Sequence, residues 1–111
     1  MSALAIDRTL QALAEPHRRQ VVELLRQGPR TAGDLARGLG LAPSALSRHL
    51  KTLKETGLVE ESHPIFDARV RVYALRAEPM QDLMKWLEET ERMWGEQLLA
   101  FKAHIEADGE A

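Results

Sequence analysis

The stretch TAGDLARGLGLAPSALSRHLKTLKETGLV, residues 31–59, decides the fold of this 111-residue chain. Thr31 followed three residues later by Asp34 is typical of a helix start, because the threonine hydroxyl can cap free backbone amides. Gly40 then provides a tight turn, and Pro43 stands in the first turn of a second helix, where a missing amide donor costs little. Two short helices joined by a tight glycine-containing turn form a helix-turn-helix unit.

The second helix of this unit, predicted over residues 42–56, has two unlike faces. With each residue set 100° from the last, its leucines fall within one narrow arc that points into a core. They are Leu46, Leu50 and Leu53. Ser44, Arg48 and Lys51 point roughly the opposite way. An α-helix fits the major groove of DNA, so this polar and cationic face is a candidate surface for nucleic acid. An ordinary solvated helix face is the alternative.

Two further helices are predicted before the helix-turn-helix unit, which we place at residues 31–57. The opening segment, residues 1–14, has leucines at helical spacing, and Glu15 and Pro16 then interrupt it, because proline tends to end one helix and begin the next. The following helix ends at Gly28 and Pro29. Its apolar face consists of Val21, Val22 and Leu25. Four helices are therefore predicted before the first strand.

A β-hairpin is predicted after these helices, over residues 58–76. Apolar and charged residues alternate from Arg69 to Tyr73, which is the period of a strand. Residues 58–63 form the partner strand and residues 64–68 the connection. Arg69 and Arg71 then share one face of the second strand, where they can reach a phosphate or a minor groove. A plain exposed strand face is the alternative.

A long helix with a continuous apolar stripe is predicted over residues 80–107. Its apolar residues recur at spacings of about four and three, interrupted only by Glu91. They are Met80, Met84, Leu87, Trp94, Leu98, Phe101 and Ile105. A stripe of this length on a small chain needs a partner surface. The sequence therefore predicts one mainly α domain over residues 1–111 with a small β-hairpin, in the order α-α-α-α-β-β-α.

The composition is that of a folded globular protein, since 44% of the residues are hydrophobic and 29% are charged. Cysteine is absent, which excludes disulfides and thiolate metal sites. No stretch approaches the roughly 20 apolar residues that span a bilayer. The opening MSALAIDRTL lacks the basic start and apolar core of a signal peptide. We therefore expect a cytoplasmic protein without a membrane partner.

The net charge of −2 is distributed unevenly. Residues 15–76 hold 11 Lys and Arg against 7 Asp and Glu, whereas residues 77–111 hold 3 against 9. A basic middle followed by an acidic end favours one surface that meets a polyanion while the end faces elsewhere. An ordinary solvated surface is again the alternative.

Three segments resemble the ArsR-type family of winged-helix repressors. They are LAEPHRRQVVELL at residues 13–25, the helix-turn-helix stretch quoted above, and DARVRVYAL at residues 67–75. The most specific part is SALSRHLKTLKETGLV. The resemblance implies a homodimer built from the first and last helices, residues 1–14 and 80–107. It also implies that the helix over residues 42–56 enters the major groove of double-stranded DNA, with the hairpin as a wing on the flanking backbone.

The resemblance also implies site residues. Its DNA-contacting positions are Ser44, Ser47, Arg48, His49 and Arg69, and the residue pattern adds Lys51 and Arg71. Arg48 has the strongest physical case, because a guanidinium can form a bidentate pair with guanine. His49 lies nearer the core edge, so a packed or backbone-bonded histidine is the alternative to a DNA contact. The expected dimer interface contains Leu4, Leu10, Leu13, Leu87, Trp94, Leu98, Phe101 and Ile105.

Metal-sensing members of the resembled family carry ligands that this sequence lacks. Thr31 and Gly33 stand where cysteines usually begin the third helix, and Asp82 is not followed by the family's histidine ligands. The histidines of the chain show no metal-ligand spacing on any helix face. They are His17, His49, His63 and His104. We therefore expect no metal site and no cofactor.

The sequence thus predicts a homodimeric, sequence-specific DNA-binding transcriptional regulator that represses by occupying an inverted-repeat operator. The sequence leaves open how the regulator is released from DNA: by a small-molecule effector, by a protein effector, or through its own concentration alone. A winged-helix protein-docking module without DNA binding is the alternative, with the acidic last helix as its docking surface. An enzyme is not expected, because no nucleophile and base, paired carboxylates or phosphate-cradling glycine loop stand at usable spacing.

Overall fold

The computed structural model describes residues 3–109, and within them five helices and three strands follow the order ααβααββα. The helices are α1 (Ala3–Ala14), α2 (Pro16–Leu25), α3 (Ala32–Leu39), α4 (Pro43–Glu55) and α5 (Ala77–Gly109). The strands are β1 (Arg30–Thr31), β2 (Val59–Ser62) and β3 (Val72–Leu75). The predicted opening helix includes residues 1–2 and the predicted domain also includes residues 110–111; these four positions lie outside the described residues.

Local hydrogen bonds explain where the helices begin and end. Glu15 Oε2 accepts a hydrogen bond from the backbone amide of Arg18 at 3.0 Å, which begins α2. Thr31 Oγ1 accepts one from the amide of Asp34 at 3.1 Å, which begins α3. This helix ends at Gly40, whose φ of 64° lies in the left-handed region that glycine adopts without a Cβ clash. The Thr31 cap and the Gly40 turn predicted for the helix-turn-helix unit are therefore present.

The core lies between α2, α3, α4 and the sheet. The three α4 leucines predicted to point inward are at most 2% exposed, and Tyr73 of β3 is equally buried. The principal core residues are Ala12, Val21, Leu25, Leu35, Leu46, Leu50, Leu53, Leu58, Val59 and Tyr73. Each fully buried leucine contributes about 1.5–3 kcal/mol to folding. This packing fixes the rotation of α4 about its axis and thereby fixes which of its residues face outward.

The β-sheet has a third strand that the sequence analysis did not predict. Its strand order is β1-β3-β2, and both pairings are antiparallel. Arg30 of β1 lies opposite Tyr73, and Thr31 lies opposite Val72. A strand of two residues is too short to show alternation, so it forms only because β3 offers it a free edge.

The second arm of the hairpin begins later than predicted, at Val72 instead of Arg69. A turn at Asp67 is the reason. Its Oδ1 accepts a hydrogen bond from the amide of Arg69 at 3.0 Å, and its carbonyl accepts one from the amide of Val70 at 3.3 Å. The connection therefore spans residues 63–71, and the prediction that Arg69 and Arg71 share a strand face was wrong.

Helix α5 extends far beyond the rest of the chain. Its 33 residues correspond to about 50 Å, and the described structure measures 75 Å along its longest axis. Leu83 is buried, but from Met84 to Asp108 no side chain is. The helix begins three residues before the predicted start at Met80. None of the described helices is both long and apolar enough to cross a bilayer.

Candidate nucleic-acid interface

The outward face of α4 carries the predicted polar residues. Ser44, Arg48 and Lys51 are exposed, and Ser47 is half-buried beside them. Neither Arg48 nor Lys51 forms an ion pair with another of the described residues. Because intramolecular carboxylates do not occupy these two cations, both are available to an anionic partner.

His49 faces away from that surface. Its side chain is 20% exposed, and its Nδ1 lies 3.7 Å from Glu15 Oε2. Its ring centroid lies 5.5 Å from that of His17. The alternatives for His49 were a DNA contact and a packed histidine. These surroundings are those of a packed histidine. Burial opposes the charge on Glu15, but the amide of Arg18 and the two neighbouring imidazoles together lower the pKa of its carboxyl.

The wing places its two arginines differently. Arg69 is almost fully exposed in the connection, with its Nε 3.2 Å from Asp67 Oδ1. Arg71 lies at the base of the wing, where its carbonyl accepts a hydrogen bond from the amide of Ala32 at 3.1 Å. Arg71 also lines a cleft of roughly 210 Å³ together with Ser47 and other residues of α3 and α4. The base of the wing therefore adjoins the exposed side of α4, whereas Arg69 lies further out.

Two apolar residues at the end of the wing escaped the sequence analysis. Ile65 and Phe66 are 107% and 88% exposed, respectively, so neither contributes to the core of this chain. The sequence pattern places both residues in the predicted hairpin connection, residues 64–68. Their signal was available in the sequence, since two large apolar residues between Pro64 and Asp67 are unusual in a turn.

The residues expected at a dimer interface are mostly exposed on the single chain. Seven of them are 42–62% exposed: Leu4, Leu10, Leu87, Trp94, Leu98, Phe101 and Ile105. Leu13 differs, because it is half-buried and packs against the core of its own chain. The inner side of α1 consists of Ile6, Thr9 and Ala12, all buried. Helix α1 packs along α5.

Comparison with known proteins identifies the family. Residues 15–61 match the model described as "Bacterial regulatory protein, arsR family". The HTH-type transcriptional regulator Rv2034 of Mycobacterium tuberculosis is 36% identical over 104 residues, which cover 94% of this chain and 92% of that protein. The chain belongs to the ArsR family of bacterial regulatory proteins. The ArsR resemblance seen in the sequence is thereby confirmed.

Two further matches agree with this assignment in role or in fold. The transcriptional repressor SdpR of Bacillus subtilis is 27% identical over 82 residues, covering 74% of this chain and 88% of the repressor. The homodimeric winged helix-turn-helix DNA-binding domain of Mb0332 from Mycobacterium bovis, a possible ArsR-family regulator, has a TM-score of 0.60 and 26% identity, covering 85% of this chain and 82% of that one. The predicted winged helix-turn-helix fold is confirmed. As an ArsR-family member, the chain is a DNA-binding transcriptional regulator and not an enzyme.

Proposed function

We propose that this ArsR-family protein is a homodimeric repressor that binds an inverted-repeat operator through two copies of α4. One observation carries the proposal: the serines and cations of α4 lie opposite a leucine face that is at most 2% exposed. A helix anchored in this way presents its outer residues to a groove without rearrangement. We place the repressor in the cytoplasm, because its DNA partner lies there in bacteria.

Within α4 we assign different tasks to the exposed residues. Arg48 pairs with a guanine edge or a phosphate, and Lys51 contacts phosphate. Ser44 and Ser47 are small and allow the helix to approach the bases closely. The first turn of α4 contains no acidic residue, and Ala42 provides no side-chain cap. Its free amides and the positive end of the helix dipole therefore favour a DNA phosphate.

The wing extends the same surface. Arg69 is free to swing toward the phosphate backbone, since an exposed ion pair such as the one with Asp67 contributes at most about 1 kcal/mol. Arg71 lies beside Ser47 and is assigned to the edge of the groove that α4 enters. His49 is left out of the contact set, because its ring faces Glu15.

Dimerisation through α1 and α5 supplies the two-fold symmetry of the operator. Both helices carry exposed apolar residues, which a second copy would cover. Homodimers are documented for the relative Mb0332. Two α4 helices related by a two-fold axis read successive major grooves about 10 base pairs apart. The acidic residues 77–111 then face away from the duplex, and occupancy of the operator blocks polymerase.

The experiment that tests this function selects binding sites from random duplex DNA and measures affinity by fluorescence anisotropy. We expect an inverted repeat to be enriched and the affinity to fall steeply as salt rises, because bound cations release counterions from DNA. No enrichment together with a flat salt response would contradict the proposal and favour the protein-docking alternative.

A further inference from the structure

A second polar cluster lies behind α4, where the junction of α1 and α2 packs against it. Glu15 occupies the junction, His17 the first turn of α2, and His49 the inner flank of α4. His17 Nδ1 lies 3.3 Å from Glu15 Oε1, and His49 Nδ1 lies 3.7 Å from Glu15 Oε2. One ligand atom from each residue lies within 4.8 Å of the other two. The cluster therefore brings two imidazole rings and one carboxylate close enough together to share a single ion.

This donor set suits a divalent transition ion. Two histidines and one glutamate are an established combination for Zn²⁺, and imidazole and carboxylate ligands also accept Co²⁺ and Ni²⁺. Tetrahedral ligands at about 2.0–2.1 Å from the ion stand roughly 3.4 Å from one another. The 3.3 Å from His17 Nδ1 to Glu15 Oε1 is already close to this value, and the 3.7 Å from His49 Nδ1 runs to the other carboxylate oxygen, Oε2. Small side-chain rotations would complete the arrangement, so we propose that Glu15, His17 and His49 form a metal-binding site.

The surroundings prepare Glu15 for this role. The amide of Arg18 fixes its carboxylate by donating to Oε2. The side chain of Arg18 is itself fixed by two backbone carbonyls. Its Nε donates to the carbonyl of Ala12 at 2.7 Å, and a terminal nitrogen donates to the carbonyl of Gln11 at 3.1 Å. Hydrogen bonds of this kind, which orient a ligand from outside the coordination shell, are typical of metal sites. The carboxylate is thus held before any ion arrives.

The site is open on one side. The side chains of Glu15, His17 and His49 are 30%, 45% and 20% exposed. An ion can therefore enter from solvent, and a water molecule can serve as the fourth ligand. Once bound, the ion joins α2 to α4 at the residue next to Arg48.

No metal site was expected from the sequence, because the family's ligands are missing and the histidines show no metal-ligand spacing on any helix face. The structure brings His17 and His49 together from different helices. Elsewhere in residues 3–109, the only histidine paired with a carboxylate is His104, whose Nε2 lies 3.3 Å from Asp108 on α5. That pair offers only two ligand groups and is mostly exposed. The substitution His104→Ala is therefore a matched control, because it removes a histidine from a place where no third ligand lies nearby.

The test measures metal binding to the full chain after treatment with a chelator, in the absence of DNA. Zn²⁺ is titrated calorimetrically, and Co²⁺ is followed by its ligand-field absorption. We expect one ion per chain for the wild type and for His104→Ala. His17→Ala should weaken binding by more than roughly tenfold, because loss of even an outer-shell partner costs about 10–100-fold. Glu15→Gln should do the same, although its amide oxygen still accepts the bond from Arg18 and so preserves the start of α2.

Circular dichroism of each variant verifies that the helices are intact. Unchanged Zn²⁺ affinity in a folded His17→Ala variant, or binding that disappears in His104→Ala, would overturn the proposal. Absence of binding to the folded wild type would do so as well. Because no readout involves DNA, these outcomes are independent of the proposed repressor function.

Discussion

The hydroxyl of Tyr73 donates to Glu61 Oε1 at 2.7 Å, directly across the antiparallel pairing of β3 and β2. Lys54 Nζ, from the last turn of α4, donates to the other carboxylate oxygen at 2.7 Å. The bonds from Lys54 and Tyr73 lower the pKa of Glu61. Burial and the bond to Glu61 raise the pKa of Tyr73 to about 12. One carboxylate thus ties the end of α4 to both strands of the wing.

Folding stability should therefore depend on the ionisation of Glu61. Its pKa is lower in the folded than in the unfolded state, so its contribution is complete above the unfolded-state pKa and is lost as pH falls through the folded-state pKa. We expect the free energy of unfolding, measured by urea denaturation, to fall between about pH 7 and about pH 3. This fall should be larger for the wild type than for Glu61→Gln, by about 1 kcal/mol. Glu60→Gln, an exposed neighbour on the same strand, is the control. Identical losses in the wild type and in Glu61→Gln would contradict this prediction.

Arg48→Ala should reduce operator affinity by about 1–3 kcal/mol and relax the preference at one base position, because it removes a bidentate contact to a base. Fluorescence anisotropy on the operator and on single-base variants measures both effects. The control Arg92→Ala removes the same charge from the exposed side of α5. Its operator affinity should stay within about 0.5 kcal/mol of the wild-type value. An equal loss on operator and random duplex would assign Arg48 to phosphate instead of to a base.

Arg69→Ala should weaken binding to every duplex by a similar factor, because the wing residue contacts phosphate and carries no sequence information. The slope of log affinity against log salt should become shallower by about 1. A salt series on the operator and on random DNA provides the measurement. A loss confined to the operator would show that Arg69 reads a base edge.

Leu98→Glu should dissociate the dimer, because it places a charge in the apolar stripe of α5. Leu99→Glu is the matched control, since this neighbouring leucine is 70% exposed and lies about 100° further round the helix. Sedimentation velocity distinguishes a monomer from a dimer. Operator affinity should fall with Leu98→Glu, because a monomer binds one half-site. Two variants with the same oligomeric state would contradict the assignment of the stripe to the interface.

Sequence alone predicted the helix-turn-helix because its signals are local. The cap at Thr31, the turn at Gly40 and the leucine period of α4 each depend on residues within a few positions of one another. The exposure of Arg48 follows from the same period. The start of β3 was misplaced because the alternation of arginine and valine continues through residues that Asp67 holds in a turn. Strand β1 depends on an edge that exists only after folding.

The cluster of Glu15, His17 and His49 could not be predicted from the sequence, for a different reason. The position of His49 near the core edge followed from helical periodicity, but its neighbours did not. His17 becomes its neighbour through the packing of α2 against α4, and no spacing along the chain encodes that contact. Leu13 illustrates the same limit, since helical spacing grouped it with Leu4 and Leu10 although it packs against the core of its own chain.

The unburied length of α5 beyond Leu83 links assembly to folding in the proposed dimer. A helix that gains little cover from its own chain is ordered chiefly by the second copy, so part of the free energy of folding is supplied by association. The melting temperature then rises with protein concentration. Cells that hold few copies would contain a larger share of frayed chains open to proteases, which makes abundance itself a determinant of how long each molecule survives.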